Sequence, residues 1–150
     1  MNADSIVSLD HGSGGLASQN LISGLFLKYL HSPQLHDLED CAILGEHAGR
    51  IAFSTDSYVV DPLFFPGGDI GMLAVHGTIN DLAMRGARPI ALSLALIIEE
   101  GFPLADLERV IASVARCSEE AGVAVVTGDT KVVPRGKVDK IFVNTTGIGI

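Results

Sequence analysis

The sequence predicts an α+β domain, a mixed β-sheet with helices layered on one face, and three observations carry that expectation. The chain has 150 residues, 47% of them hydrophobic, with no Trp and 5% aromatics. That is enough aliphatic material for one core and too little length for two ordinary domains. Stretches with helical apolar spacing alternate with short runs rich in Val, Ile and Leu, the pattern of helices packed on strands. The resulting order is β-β-α-β-α-β-β after an N-terminal glycine loop and helix, with no internal repeat and no low-complexity segment.

The elements follow from local chemistry. Residues 5–9 read as a short strand, and His11-Gly12-Ser13-Gly14-Gly15 as a loop that needs backbone freedom. Residues 16–30 read as a helix, because Ile22, Leu25, Phe26, Tyr29 and Leu30 share one face, and Pro33 stops it. Two apolar runs, 41–44 and 51–53, flank GEHAGR and predict an antiparallel hairpin. Residues 56–68 form a long Pro- and Gly-containing loop with Tyr58, Phe64 and Phe65, and such loops are more often functional or interfacial than idle. Asp69 suits the N-cap of a helix running to Arg85, with Gly86 past its end.

Residues 88–98, rich in Leu, Ile and Ala, read as a buried strand. Pro103 then precedes an amphipathic helix marked by Leu104, Leu107, Ile111 and Val114 and closed at Gly122. A short buried strand follows at 123–126, a turn-rich basic segment at 131–140, and a last strand from 141. That strand reaches Ile150 in mid-pattern, so residues 1–150 are expected to be one domain of a longer protein.

The formal net charge of −8 disfavours binding to nucleic-acid backbones and to anionic lipid. The longest apolar stretch, 90–98, is far short of a membrane span, and the polar start lacks a basic lead. The two cysteines, Cys41 and Cys117, have no paired-ligand spacing; both are expected to be reduced core thiols in a cytoplasmic protein.

Three features can carry chemistry. The glycine loop leads into a helix, and inward-turned N–H groups beside a positive helix end favour phosphate; a plain surface turn explains the same residues about equally well. Gly12, Gly14 and Ala17 also fit G-x-G-x-x-A, yet no βαβ crossover follows, which argues against a dinucleotide domain. The second feature is a set of aspartates placed at element ends or within a helix: Asp40, Asp56, Asp81 and Asp129. Gathered at one sheet edge they would repel unless Mg²⁺ and a polyphosphate lay between them. Asp commonly caps and turns, which explains Asp69 and Asp106 but not Asp81, a poor helix former within a helix beside Asn80. Third, Gly128-Asp129-Thr130-Lys131 at a strand end offers a metal-binding carboxylate and a phosphate-neutralising lysine, with a type I turn as the rival reading.

HGSGG, LEDCAIL, FSTDSYVVDPLFFPGGDIGMLAVHGTINDLAMRGARP and VVTGDTKVV, in this order, resemble the amino-terminal domain of the HypE family of hydrogenase-maturation proteins over essentially the whole chain. That family sits in a superfamily with aminoimidazole ribonucleotide synthetase (PurM), selenophosphate synthetase and thiamine-phosphate kinase. The resemblance implies a PurM N-terminal-like, ferredoxin-like sheet that dimerises through its strands. It also implies ATP and Mg²⁺ as cofactors, and dehydration of a carbamoyl group, carried on the protein's own C-terminal cysteine, to a thiocyanate. The cyanide then serves the iron of nickel–iron hydrogenase. The implied partners are a second copy, the carbamoyltransferase HypF and the HypC–HypD complex. By the same likeness Gly12, Ser13, Gly14 and Gly15 cover phosphate. Asp40, Asp56, Asp81 and Asp129 serve metal, with Asp56, Asn80, Asp81 and Thr130 at the nucleotide and Asp129 and Lys131 in catalysis. Neither Cys41 nor Cys117 lies in a free C-terminal tail, so this chain alone is expected to carry no carbamoyl group. A module serving mainly assembly is the alternative.

Overall fold

The computed structural model describes residues 6–36 and 41–150. After a 3₁₀ turn at Leu9–Gly12, α1 (Leu16–Leu21) continues through a π-helical stretch (Ile22–Phe26) into α2 (Leu27–Tyr29), followed by α3 (Pro33–His36). Then come β1 (Ala52–Tyr58), a small hairpin of β2 (Phe64–Phe65) and β3 (Gly68–Asp69), and α4 (Ile70–Met84). The chain ends with β4 (Pro89–Glu99), α5 (Leu104–Ala121), β5 (Ala124–Val133) and β6 (Ile141–Gly149). No helix among the described residues is long and apolar enough to cross a membrane.

The four long strands form one mixed sheet in the order β1-β6-β4-β5, with β4 and β5 parallel and the other pairs antiparallel. A helical return, α5, is what permits the parallel pair. Alternation along β6 buries Ile141, Val143, Thr145, Gly147 and Gly149 on one face, where α4 and α5 pack. The apolar stripe of α5 (Leu107, Val110, Ile111, Val114 and Cys117) is fully buried, and burial pushes the Cys117 thiol up. Leu21, Leu25, Phe26 and Leu30 join the same core from the N-terminal helix. On the other face, Phe53 and Ile97 are exposed and Phe142 and Ile148 half-buried, with Thr55, Ser57, Asn144 and Thr146 among them.

The helices and β4 stand where their sequence patterns put them. Asp69 caps α4 by accepting from the Met72 amide at 2.9 Å, and α5 closes at Gly122 in the left-handed region. Other expectations need correction. The hairpin expected from 41–44 and 51–53 is absent: residues 41–44 lie outside any strand with Cys41 exposed, and β1 pairs with β6, some ninety positions away. Long-range pairing of a face that must be buried overrode the local pairing signal. Consequently Asp56 lies inside a strand rather than opening a loop. The strand expected at 123–126 runs on to Val133, because the β-branched residues up to Val133 pair with β4 along their whole length. In place of an N-terminal strand, Ile6 makes a single bridge to Pro103, and Pro33 begins α3 rather than merely ending its predecessor.

Candidate functional site

The glycine loop and the Gly128–Lys131 segment meet. They line one cavity of about 420 Å³ between the N-terminal helix and the β5 edge, a size suited to a small ligand. His11, Gly12, Gly14 and Ser18 form one wall, Thr127 to Lys131 another, and Ile22, Phe26, Leu27, Leu30 and Leu35 give an apolar end with Gln19 and Gln34 nearby. Gly12 is required for this approach, since a Cβ there would collide with the Val132 amide nitrogen. The loop is braced from within: the Gly14 amide donates to Ser18 Oγ at 2.9 Å, and Ser13 Oγ donates to the Asp10 carbonyl at 2.9 Å. Gly15 enters α1 with no side-chain cap, leaving first-turn amides open to an anion. Ser13 and Gly15 flank this cavity in sequence without lining it.

The aspartates do not gather at one edge. Asp56, Thr145, Leu94 and Gly128 form a single row across the sheet. Asp56 is therefore on β1, three strand spacings from Gly128 on β5, roughly 14 Å at about 4.8 Å each. Asp56 shares the helix-covered face with Thr145, whereas Asp129, one residue beyond Gly128, points to the open face. Asp129 accepts from Lys131 Nζ at 2.9 Å, an exposed pair on the edge strand, so neither group is a turn residue. Thr130, in alternation, turns toward the glycine-loop side.

Asp81 lies against the β1 edge, where Ser54 Oγ donates to its Oδ2 at 2.9 Å, and Asp56 follows Ser54 by two positions on the same face of β1. Asn80 is exposed beside it, and Asp40 lies outside the described residues. Among the described residues no three His, Cys, Asp or Glu side chains cluster closely enough to hold a metal ion. Two exposed carboxylates nonetheless fit Mg²⁺, which takes hard oxygen donors and usually relies on one or two carboxylates plus phosphate and water.

Sequence reasoning missed Ser18, Gln19 and Gln34 in the cavity and Ser54 on Asp81. Ser18 carried a signal, a hydroxyl three residues into a helix opened by glycine. Ser54 carried none, because its partner comes from a helix twenty-seven residues away.

A mixed sheet under helices, with a glycine loop and a strand-borne Gly-Asp-Thr-Lys lining one cavity, belongs to a domain class that comparison identifies. The chain belongs to the AIR synthase related protein family, matching the model of its N-terminal domain over residues 38–150. Among individual relatives, it is 56% identical to the carbamoyl dehydratase HypE of Azotobacter vinelandii over 144 residues, covering 96% of this chain and 42% of that protein. A crystal structure of the hydrogenase maturation protein HypE in complex with ATP superposes with a TM-score of 0.92 at 61% identity, over 95% of this chain and 42% of the other. A chain of a solved HypE–HypF complex matches with a TM-score of 0.67 at 53% identity, over 86% of this chain and 41% of that one. The chain thus spans about two-fifths of the length of these relatives.

Proposed function

We propose that this chain is the amino-terminal, nucleotide-binding domain of an ATP-dependent carbamoyl dehydratase that acts in hydrogenase maturation. The reaction turns a C-terminal cysteine S-carboxamide into a thiocyanate: the amide oxygen takes the γ-phosphoryl group of ATP and leaves as phosphate, and nitrogen loses two protons as the nitrile forms. The observation that carries this reading is the single cavity shared by the glycine loop and Gly128–Lys131, in a chain that superposes closely on an ATP-bound relative. Such phosphoryl transfer needs positioning and charge neutralisation more than covalent chemistry.

In this reading the first-turn amides after Gly15 and the Gly12–Gly15 backbone face phosphate. Thr130 lies on the same side, and Asn80 flanks the carboxylates. Asp56 and Asp81 hold Mg²⁺, which neutralises phosphate charge when bound. Asp129 orients Lys131 toward the transferred group. Asp40, by family likeness, completes the carboxylate set. The two groups stand at opposite sheet edges within one chain, which favours a homodimer in which a second copy packed on the open face supplies the missing half. Partners by the same likeness are HypF, as in the solved relative complex, and the HypC–HypD pair.

Isothermal titration of Mg·ATP into this domain and into the full-length protein tests the reading. We expect binding to the full-length protein at least about tenfold tighter than to the isolated domain, because loop closure costs roughly 1–2 kcal/mol per ordered residue and needs many contacts to offset it. No binding to either would end it, and NAD binding in place of ATP would revive the dinucleotide alternative.

A further inference from the structure

Asp81 stands where a helix least favours a carboxylate. It lies in the last turn of α4, at the negative end of the macrodipole, with no basic residue in that turn. Its visible compensation is Ser54, whose hydroxyl donates to Oδ2 at 2.9 Å, while Oδ1 accepts no hydrogen bond among the described residues. Ser54 sits two positions before Asp56 on β1, and Tyr58 two positions after it, so all three share the face turned to α4.

Behind this edge a line of hydroxyls crosses from β1 to the helix. Tyr58 Oη is 3.3 Å from Thr78 Oγ1, Thr78 Oγ1 is 2.6 Å from Thr145 Oγ1, and Thr145 Oγ1 donates to the Ala74 carbonyl at 2.9 Å. The last bond fixes the direction of the rest. Thr145 spends its proton on a carbonyl, so it accepts from Thr78, which in turn accepts from Tyr58. The ring lies close on α4 only because residue 77 is glycine, since a Cβ there would overlap the phenol.

We propose that Ser54 and Tyr58 are positioning residues for the carboxylate pair: Ser54 orients Asp81, and Tyr58, through Thr78 and Thr145, fixes α4 on β1 so that Asp81 and Asp56 serve one metal-bound phosphate. The proposal rests on the assignment of those two aspartates to Mg·ATP, and its test separates the two ideas.

In the full-length protein, ATP affinity is measured by calorimetry with Mg²⁺ and again in EDTA, with melting temperature recorded alongside. Asp81→Asn is expected to abolish the gain that Mg²⁺ brings. Ser54→Ala and Tyr58→Phe are each expected to weaken Mg·ATP binding about five- to tenfold, a hydrogen bond's worth, and to leave metal-free ATP binding unchanged. Ser54→Thr, which keeps the hydroxyl, restores the parent value. If Asp81→Asn behaves so but Ser54→Ala or Tyr58→Phe binds Mg·ATP like the parent, that residue is struck from the assignment while the carboxylate reading stands. An equal loss with and without Mg²⁺, or no recovery in Ser54→Thr, marks a merely structural role and overturns the proposal. Unaltered Mg·ATP binding in Asp81→Asn sinks the carboxylate reading, and the positioning roles with it.

Discussion

Gly77 shows how one missing side chain sets a contact. In the interior of α4 a glycine costs about 1 kcal/mol against alanine, so propensity alone favours Gly77→Ala. The structure argues the reverse, because the added Cβ would overlap the Tyr58 phenol, which is tied to Thr78 from behind. Overpacking of this kind costs about 1–3 kcal/mol. We therefore expect Gly77→Ala to lower the melting temperature, and pairing it with Tyr58→Ala to give a smaller loss than the two single losses added together. A Gly77→Ala protein as stable as the parent would show that the ring has room to move and that the hydroxyl line is loosely held.

Between elements, the tie from the N-terminal helix to α5 is polar at its rim. Lys28 Nζ lies 2.5 Å and Tyr29 Oη 2.6 Å from Glu108 Oε1. The Lys28 hydrogen bond first, and the Tyr29 hydroxyl second, hold the Glu108 carboxyl below its ordinary range. A carboxyl depressed in the folded state stabilises the fold above its unfolded value, about 4.3, and loses that contribution as the pH falls through its folded value. Glu108→Gln should then melt lower than the parent at pH 7, and the gap should close toward about pH 3. Lys28 is exposed and Glu108 half-buried, so 0.5 M salt should also narrow the gap at pH 7. A gap that stayed constant with pH would assign the loss to packing of the stem and not to charge.

The whole molecule divides its candidate chemistry between two edges of one sheet, Asp56 and Asp81 at β1 and the glycine loop with Asp129 and Lys131 at β5. If a second copy unites them, two damaged copies can repair each other. Asp81→Asn and Asp129→Asn, each inactive as a pure full-length protein, should on mixing and exchange regain about a quarter of parental ATP-dependent activity. Half of the dimers are then mixed, and one of their two sites carries both aspartates. A site built within one copy predicts no recovery. Light scattering that gave a monomer at micromolar concentration would remove the premise.

The sequence by itself determined the elements whose signals are local. The α5 stripe, the Asp69 cap, the glycine stops at Gly86 and Gly122, and the apolar run of β4 are periodicity, capping and backbone freedom, all readable within one or two turns of chain. HGSGG and GDTK were legible as candidates for the same reason, each read from a few adjacent residues, though a turn explains either one taken alone. Tertiary structure decided partnership. Residues 41–44 and 51–53 carry the mark of a hairpin, yet β1 joins β6, a pairing that places Tyr58 and the buried Thr145 under α4. The strand of Asp129 extends past its apolar part because β4 offers a ladder to pair with. Which aspartates share an edge of the sheet, and that Ser54 faces Asp81, follow from sheet order. Sheet order is fixed by contacts distant in sequence, whose energy depends on the whole core and leaves no mark on any short stretch of residues.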